Sequence, residues 1–375
     1  MYTIYKVLSC LQKEARSYLI DAERLFRLRG LAKRHISRRL RLLHHIYTWN
    51  RIVGESTYVL HEYARSDSPI DTFNHYFRPQ QQDSTRNDRP RQVDPNPRLD
   101  DFLRLRPRHA DSDLDIDEPK EREAGIYDIH LEDSRRFSDN FYSQIYGIPE
   151  TWLSLLSQTT RLANLMDVLG SSGGGTSGIG SDSIISNSNS STNEPLSLSS
   201  EAHEALQRRC SRLENMVCSL SMRSSRATTS DTDTRSSFRV HMIHALNAAL
   251  VIFFYRRIRQ VHPAILRAHV DDVISSLHEF DAALYQDGLP CPGTGWPAFV
   301  AGCEAIVPQQ RRWLLMWMEK ASTRSGLPVF GASKEVMMEV WRQHDEHSSS
   351  SIRCRERLPT WVEVLKQRNF WPIFT

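Results

Sequence analysis

The sequence contains few cysteines, and their spacing argues against the common metal and disulfide frameworks. Six cysteines are spread over 375 residues, at Cys10, Cys210, Cys218, Cys291, Cys303 and Cys354. No two of them have the CxxC spacing that supplies ligands to structural zinc sites. The spacing therefore predicts reduced thiols in an intracellular protein, with no metal site in this chain.

The sequence also lacks a large excess of positive or negative charge, and it lacks long hydrophobic runs. The chain has 48 Lys plus Arg against 45 Asp plus Glu, a formal net charge of +3, so the whole molecule is not built to bind polyanions. The most apolar run, Ala245 to Tyr255, is shorter than the roughly 20 residues needed to span a bilayer. The first 20 residues lack the apolar core and cleavage site of a secretory signal. We therefore predict no membrane association.

Motifs that would position catalytic groups are missing. There is no HExxH metalloprotease motif, and no alternation of apolar and polar residues marks a strand. The Gly-rich stretch GSSGGGTSG, which begins at Gly170, lacks the Gly-Lys-Ser/Thr ending whose lysine and hydroxyl hold phosphate and magnesium. We therefore predict a protein that is not an enzyme and holds no cofactor.

Helical periodicity dominates the remaining sequence. In one example, Trp152, Leu155, Leu156 and Leu162 recur at helical spacing. Composition shifts to Arg, Asp, Pro and Gln at about 79–123, and to Gly, Ser and Asn at about 170–200; neither stretch carries enough apolar residues to bury a core. The pattern predicts an all-α protein, a single irregular helical bundle over residues 1–375 with two disordered insertions at these positions.

A short acidic segment lies inside the first of these insertions. Residues Asp111 to Glu118, DSDLDIDE, alternate acidic and aliphatic side chains. This alternation occurs in disordered transcriptional activation segments, although a solvated loop is the commoner explanation.

A dense basic run precedes and enters an early helical pattern. It comprises Arg24, Arg27, Arg29, Lys33, Arg34, Arg38, Arg39 and Arg41. Such a face could bind a nuclear import receptor or nucleic-acid phosphates, or it could be a solvated helix face. Attraction to phosphates would be salt-sensitive and would carry no sequence information.

The richest aromatic stretch runs from Cys291 to Lys320. Pro292, Gly293, Gly295 and Pro297 interrupt the chain before a small-residue helix predicted over Ala298 to Val307, and a second helix follows from Gln309. Two readings remain open, a helical core or the lining of an apolar pocket for a small-molecule effector. The candidate pocket residues are Trp296, Phe299, Cys303, Trp313 and Trp317.

Several segments carry a resemblance to a known family. They include Gly295-Trp296-Pro297, Ala301 to Ala305 and Val340-Trp341-Arg342. Longer matching segments cover most of residues 15–65, 124–167 and 237–371. Together they resemble the C-terminal regulatory region of fungal-specific transcription factors of the arginine-metabolism-regulator type. The resemblance implies a nuclear regulator of RNA polymerase II transcription, with other transcription factor subunits or a second copy as partners.

One feature of that family is missing from this sequence. Family members are similar in carrying an N-terminal binuclear zinc cluster made by six cysteines, whereas here Cys10 is followed only by Cys210. We expect zinc only in the cluster of full-length relatives, and contact with DNA only through such a module. Met1 stands directly before a helical pattern, so we expect a longer ancestor or an incomplete gene prediction. The alternative is a stand-alone helical interaction module that competes with relatives for dimer partners.

Overall fold

α-Helices form the regular structure throughout the residues that the structure describes. The computed structural model describes residues 18–19, 21–22, 25, 38–59, 147–173, 200–227, 237–286, 293–349 and 358–374. The helices are α1 (Arg38–Ser56), α2 (Glu150–Gly173), α3 (Ser200–Ala227), α4 (Ser237–Phe254), α5 (Arg267–Gln286), α6 (Trp296–Cys303), α7 (Pro308–Ser325), α8 (Pro328–Ser349) and α9 (Trp361–Arg368). Within these ranges no strand occurs, and the prediction of an irregular all-α bundle is confirmed.

The two predicted insertions fall almost entirely outside the described residues. All of residues 79–123 and residues 174–199 lie outside them. Residues 170–173, which the sequence assigned to the second insertion, form the last turn of α2, and α3 begins at Ser200. That the chain forms one domain over residues 1–375 stays a prediction.

The central helix of the bundle is α4. Every residue from Ala245 to Phe254 is buried, and α4 packs against α2, α3, α5 and α6. A helix that is apolar on all sides must be covered on all sides. With the turn that follows it, the segment Phe238–Arg259 has 22 residues and is long and apolar enough to cross a membrane, but 61% of its apolar window is buried inside the protein. Such burial is typical of a core helix.

A chain of aromatic contacts runs through the core from α1 to the C-terminal segment. The Trp152 ring lies 6.0 Å from Trp49 and meets Trp296 edge to face at 5.3 Å. Phe253 of α4 lies 5.7 Å from Trp296 and 6.2 Å from Trp361. The chain then continues through Phe299 to Phe374 at 5.9 and 5.1 Å. Ring pairs at these distances add stability beyond their buried area.

Two of the buried indole groups in this aromatic chain donate hydrogen bonds to other helices. Trp152 donates from Nε1 to the Leu246 carbonyl at 3.1 Å, and Trp296 donates to the Ser56 hydroxyl at 2.8 Å. A buried N–H without an acceptor would cost roughly 1–3 kcal/mol. These two bonds tie α2 to α4 and α6 to the end of α1, so the tryptophans fix helix positions as well as filling space.

The last described residues return to the end of α1. Trp371 donates from Nε1 to the Gly54 carbonyl at 2.8 Å, and the Thr57 hydroxyl donates to the Pro372 carbonyl at 2.5 Å. A second apolar cluster gathers here, made by Leu19, Tyr47, Tyr58, Trp371 and Ile373. Segments more than 300 residues apart in the sequence are therefore joined side by side.

Helix α6 differs from its predicted bounds, Ala298 to Val307. It begins at Trp296, because Pro297 lies in the first turn, where its missing N–H is not needed. It ends at Cys303, well before Pro308. Val307 is extended, with ψ 131°, as expected for a residue that precedes proline. A single helix therefore cannot run from α6 into α7.

Trp296 provides a test of the aromatic chain. Replacing the fully buried Trp296 by Ala removes its indole, its edge contact with Trp152 and its bond to Ser56. We expect Trp296→Ala to lower the free energy of unfolding by about 3–5 kcal/mol, measured by urea denaturation. The control is Ile265→Ala, because Ile265 is 72% exposed and should change stability by less than about 0.5 kcal/mol. Equal losses of unfolding free energy in the two variants would contradict the stabilising role of Trp296 in the aromatic chain.

Candidate functional site

A π-helical turn at the end of α4 directs three arginines toward three other parts of the fold. The turn spans Tyr255–Arg259, and Gln260 ends it in the left-handed region with φ 53°. Its arginines are Arg256, Arg257 and Arg259, and we call them the arginine fan. Single π-helical turns inside longer helices often occur at functional sites, so the partners of these arginines define the first candidate site.

Arg256 forms an ion pair in the protein interior. Its Nε lies 2.6 Å from Glu304 Oε2, and the two side chains expose 4% and 1% of their surface. Its Nη1 donates to the Val261 carbonyl at 2.7 Å. Removing two charges from water is costly, and only close pairing and added hydrogen bonds offset that cost. The pair therefore fixes the end of α4 against the turn that follows α6.

Arg257 connects the same turn to α2. It donates to Asp167 Oδ2 at 2.9 Å and to Asn164 Oδ1 at 3.3 Å. Its guanidinium carbon lies 5.6 Å from the centre of the Trp361 ring, within the range of a cation–π contact. Arg257 is therefore held by α2 and α9 together.

Arg259 connects the turn to α3. Its Nε and Nη2 donate to Glu214 Oε2 at 2.9 and 2.5 Å, and Nη2 also reaches the Ser211 hydroxyl at 3.2 Å. The side chains of Arg259 and Glu214 are about one quarter exposed, so water screens this pair more than the Arg256–Glu304 pair.

His344 of α8 lies close to the buried ion pair. Its Nε2 is 2.7 Å from the Pro359 carbonyl oxygen, and its side chain is 3% exposed. Burial lowers the pKa of His344; nearby Glu304 acts in the opposite direction, while Arg256 and Arg311 reinforce the lowering. The neutral imidazole is therefore favoured in the folded protein.

A groove open to solvent lies between α5 and α7. It has a volume of about 440 Å³ and is lined by His278, Asp281, Ala282, Tyr285, Trp313, Met316, Trp317, Lys320 and Arg324. Asp281 of α5 accepts a bond from Lys320 Nζ at 2.7 Å and lies 3.6 Å from Arg324 Nη1. We call this cavity the α5–α7 groove, and it is the second candidate site.

The five residues predicted as an effector pocket divide between the core and this groove. Trp313 and Trp317 line the α5–α7 groove. Trp296, Phe299 and Cys303 are fully buried in the main core, and burial raises the pKa of the Cys303 thiol well above its usual value. The structure therefore brings two of the five together at a cavity. An effector-binding role for the set stays a prediction.

The predicted basic face is described only in part. Arg38, Arg39 and Arg41 lie in α1, and Arg39 is exposed. Arg24, Arg27, Arg29, Lys33 and Arg34 lie outside the described residues. A role in nuclear import or phosphate binding stays a prediction.

Sequence reasoning missed the acidic partners of the arginine fan. Positive charges are favourable near a helix C-terminus even without a side-chain partner, so the sequence prediction assigns no role to Glu304 and Asp167. A usable signal was present, because Glu304 stands alone in the small, apolar run Ala298 to Val307. An isolated charge in such a run must be paired if the run is buried.

Among the described residues, no group of three or more His, Cys, Asp or Glu side chains is arranged to hold a metal ion.

The Arg256–Glu304 pair can be tested by removing one charge. Glu304→Gln leaves the Arg256 guanidinium buried without a counter-charge, so we expect a loss of about 3–5 kcal/mol in the free energy of unfolding. The control is Glu204→Gln, which breaks the exposed Arg208–Glu204 pair and should cost less than about 1 kcal/mol. The double variant Arg256→Met/Glu304→Leu should recover much of the loss, since no charge is then buried. A Glu304→Gln protein as stable as its control would refute the pairing.

His344 predicts a pH dependence of stability. Its folded-state pKa lies below the unfolded value of about 6.5, so the unfolded chain binds more protons as the pH falls through that value. The stability associated with neutral His344 is therefore present above about pH 6.5 and is lost below it. In urea denaturation between about pH 7 and pH 5, His344→Gln, which keeps a donor for the Pro359 carbonyl, should lose less stability than the unaltered protein. An identical pH dependence in both proteins would contradict a contribution of His344 to the loss of stability at low pH. The matched control is His278→Gln, which replaces an exposed histidine.

Comparison with known proteins places this fold in a family. The fungal specific transcription factor domain matches residues 4–375. Arginine metabolism regulation protein II of Saccharomyces cerevisiae is 24% identical over 98 residues, which are 26% of this chain and 11% of that protein. The chain thus aligns with about one tenth of the length of this curated relative. No solved structure matches the chain.

The family assignment rests on the length of the match. Residues 4–375 include every helix described above, so the similarity is a property of the whole helical body rather than of one short motif. A role in transcriptional regulation follows from it. The chain belongs to the fungal-specific transcription factor domain family.

Proposed function

We propose that this chain is the regulatory part of a nuclear, RNA polymerase II-dependent transcription factor. The observation that carries the proposal is the family match over residues 4–375. The partial similarity to a protein named for the regulation of arginine metabolism supports a regulatory role.

We propose further that DNA recognition depends on a zinc-cluster module that this chain does not supply. A binuclear cluster needs several closely spaced cysteines, and here Cys10 is separated from Cys210 by about half of the chain. The basic run that ends in α1 would add only a salt-dependent attraction to phosphates. Specificity for a DNA site would come from the module or from a partner that carries one.

The helical body suits a regulatory role that acts through binding. The arginine fan and the aromatic chain hold the helices in fixed relative positions, while the α5–α7 groove is open to solvent. A fixed body with an open groove can present one surface to other transcription factor subunits, to a second copy of this chain or to a small-molecule effector. We assign the sensing role to this groove.

The proposal is tested by separating regulation from DNA binding. Fused to an unrelated DNA-binding domain, the chain should change transcription from a reporter that carries the matching site, relative to that domain alone. The purified chain should produce no sequence-specific gel shift and should contain no stoichiometric zinc. A fusion without effect on the reporter would contradict a regulatory function, and a specific gel shift by the chain alone would contradict the dependence on a separate module.

The same assay addresses the alternative of a competing interaction module. A competitor without regulatory activity of its own leaves the tethered reporter unchanged, yet lowers the activity of a full-length relative when co-expressed with it. Reporter activity from the tethered chain therefore distinguishes the two functions.

A further inference from the structure

The α5–α7 groove combines side chains that are typical of protein–protein contacts. Tyr285 is 83% exposed and Met316 is 63% exposed, although both carry large apolar surfaces. Trp313 is half-buried beside them. Tyrosine, tryptophan, methionine and arginine are enriched at protein interfaces relative to other surfaces, and tryptophan, tyrosine and arginine dominate their binding energy. The groove thus has the composition of a contact surface that is uncovered in the isolated chain.

The shape of the groove favours a protein segment over a small molecule. Sites for drug-sized ligands enclose roughly 70–90% of the ligand surface. Here Tyr285 and Met316 expose most of their own surface to solvent, so a small ligand beside them would remain largely in water. An extended or helical segment can cover both side chains and the half-buried Trp313 at once.

The charges in the groove define the chemistry of that segment. Lys320 and Arg324 are the lysine and the arginine among the lining residues, and Asp281 is the single carboxylate. Lys320 donates to Asp281 at 2.7 Å, whereas Arg324 Nη1 is 3.6 Å away, beyond hydrogen-bond distance. Within the described part of the chain no hydrogen bond involves the Arg324 guanidinium, which therefore offers planar donors to a second carboxylate.

We propose that the α5–α7 groove docks an acidic segment of a partner protein that also carries aromatic or aliphatic side chains. Carboxylates of the segment pair with Arg324 and Lys320, and its apolar side chains pack on Trp313, Met316 and Tyr285. The inference rests on the proposed function, because that function assigns the sensing role to the α5–α7 groove. The inference adds which kind of partner binds there. It does not depend on how DNA is recognised.

The proposal is tested with the purified full chain and labelled synthetic peptides. The probe is a fluorescein-labelled peptide of sequence DDFDDLLDDF, and its affinity is measured by fluorescence anisotropy. Two matched peptides, NNFNNLLNNF and DDADDAADDA, remove the charge and the apolar side chains separately. We expect the probe to bind, both matched peptides to bind at least about tenfold more weakly, and the affinity of the probe to fall as salt is raised.

Variants of the groove connect this binding to its residues. Arg324→Gln and Tyr285→Ser should each weaken binding of the probe by about tenfold. The matched controls are Arg312→Gln, an exposed cation on α7 outside the groove, and Met338→Ser, an exposed methionine on α8, and both should bind normally. Tyr285 and Arg324 contribute little to the core, so thermal denaturation of these variants should match that of the unaltered protein.

Several results would overturn the proposal. One is no binding of the probe, and another is binding that Arg324→Gln and Tyr285→Ser leave unchanged. Equal binding of the NNFNNLLNNF peptide would remove the role of charge. Displacement of the probe by indole-3-acetate at the probe's own affinity would assign the groove to a small carboxylate ligand instead. Loss of peptide binding with an active tethered reporter would reject this inference alone, whereas an inactive reporter with intact peptide binding would reject the proposed function alone.

Discussion

The arginine fan at the end of α4 is the constraint on which the rest of the fold depends. A buried guanidinium cannot lose its proton, so each arginine must find an acceptor in the protein. Arg256, Arg257 and Arg259 find theirs on three different parts of the chain. Because all three leave one short π-helical turn, the positions of α2, α3 and the turn after α6 are set relative to α4. Apolar packing alone would allow these helices to slide.

The contacts that stabilise this fold are separated in space from the groove that we propose as a docking surface. The Arg256–Glu304 pair and the aromatic chain lie in the interior, where low exposure strengthens electrostatic contacts and close packing leaves little freedom. The α5–α7 groove lies on the outside and contributes only Trp317, among its aromatic residues, to the fully buried core. A change of partner preference therefore needs substitutions only at exposed positions such as Tyr285 and Arg324.

The sequence predicted the secondary structure class well, and the site less completely. The apolar stripe of α2 and the nearly continuous apolar run of α4 leave few alternatives to a helical core, and both segments are helical. The candidate pocket predicted from the sequence includes Trp313 and Trp317, but the α5 side of the groove could not be predicted, because periodicity shows a helix face but not its neighbour. Trp296 and Trp313 look alike in the sequence, yet one is fully buried and the other borders a groove. The acidic partners of the arginine fan required the same long-range information.

The contact between α1 and the C-terminal segment has a consequence for the order in which the protein folds. The bond from Thr57 to Pro372 joins residues 315 positions apart. At a synthesis rate of roughly 5–20 residues per second, about 15–60 s pass between translation of these two residues. During that time Tyr47 and Tyr58 lack Trp371 and Ile373, the C-terminal members of their apolar cluster. This small apolar cluster is therefore the last part of the fold to be completed, because it cannot close before Trp371 has been synthesised.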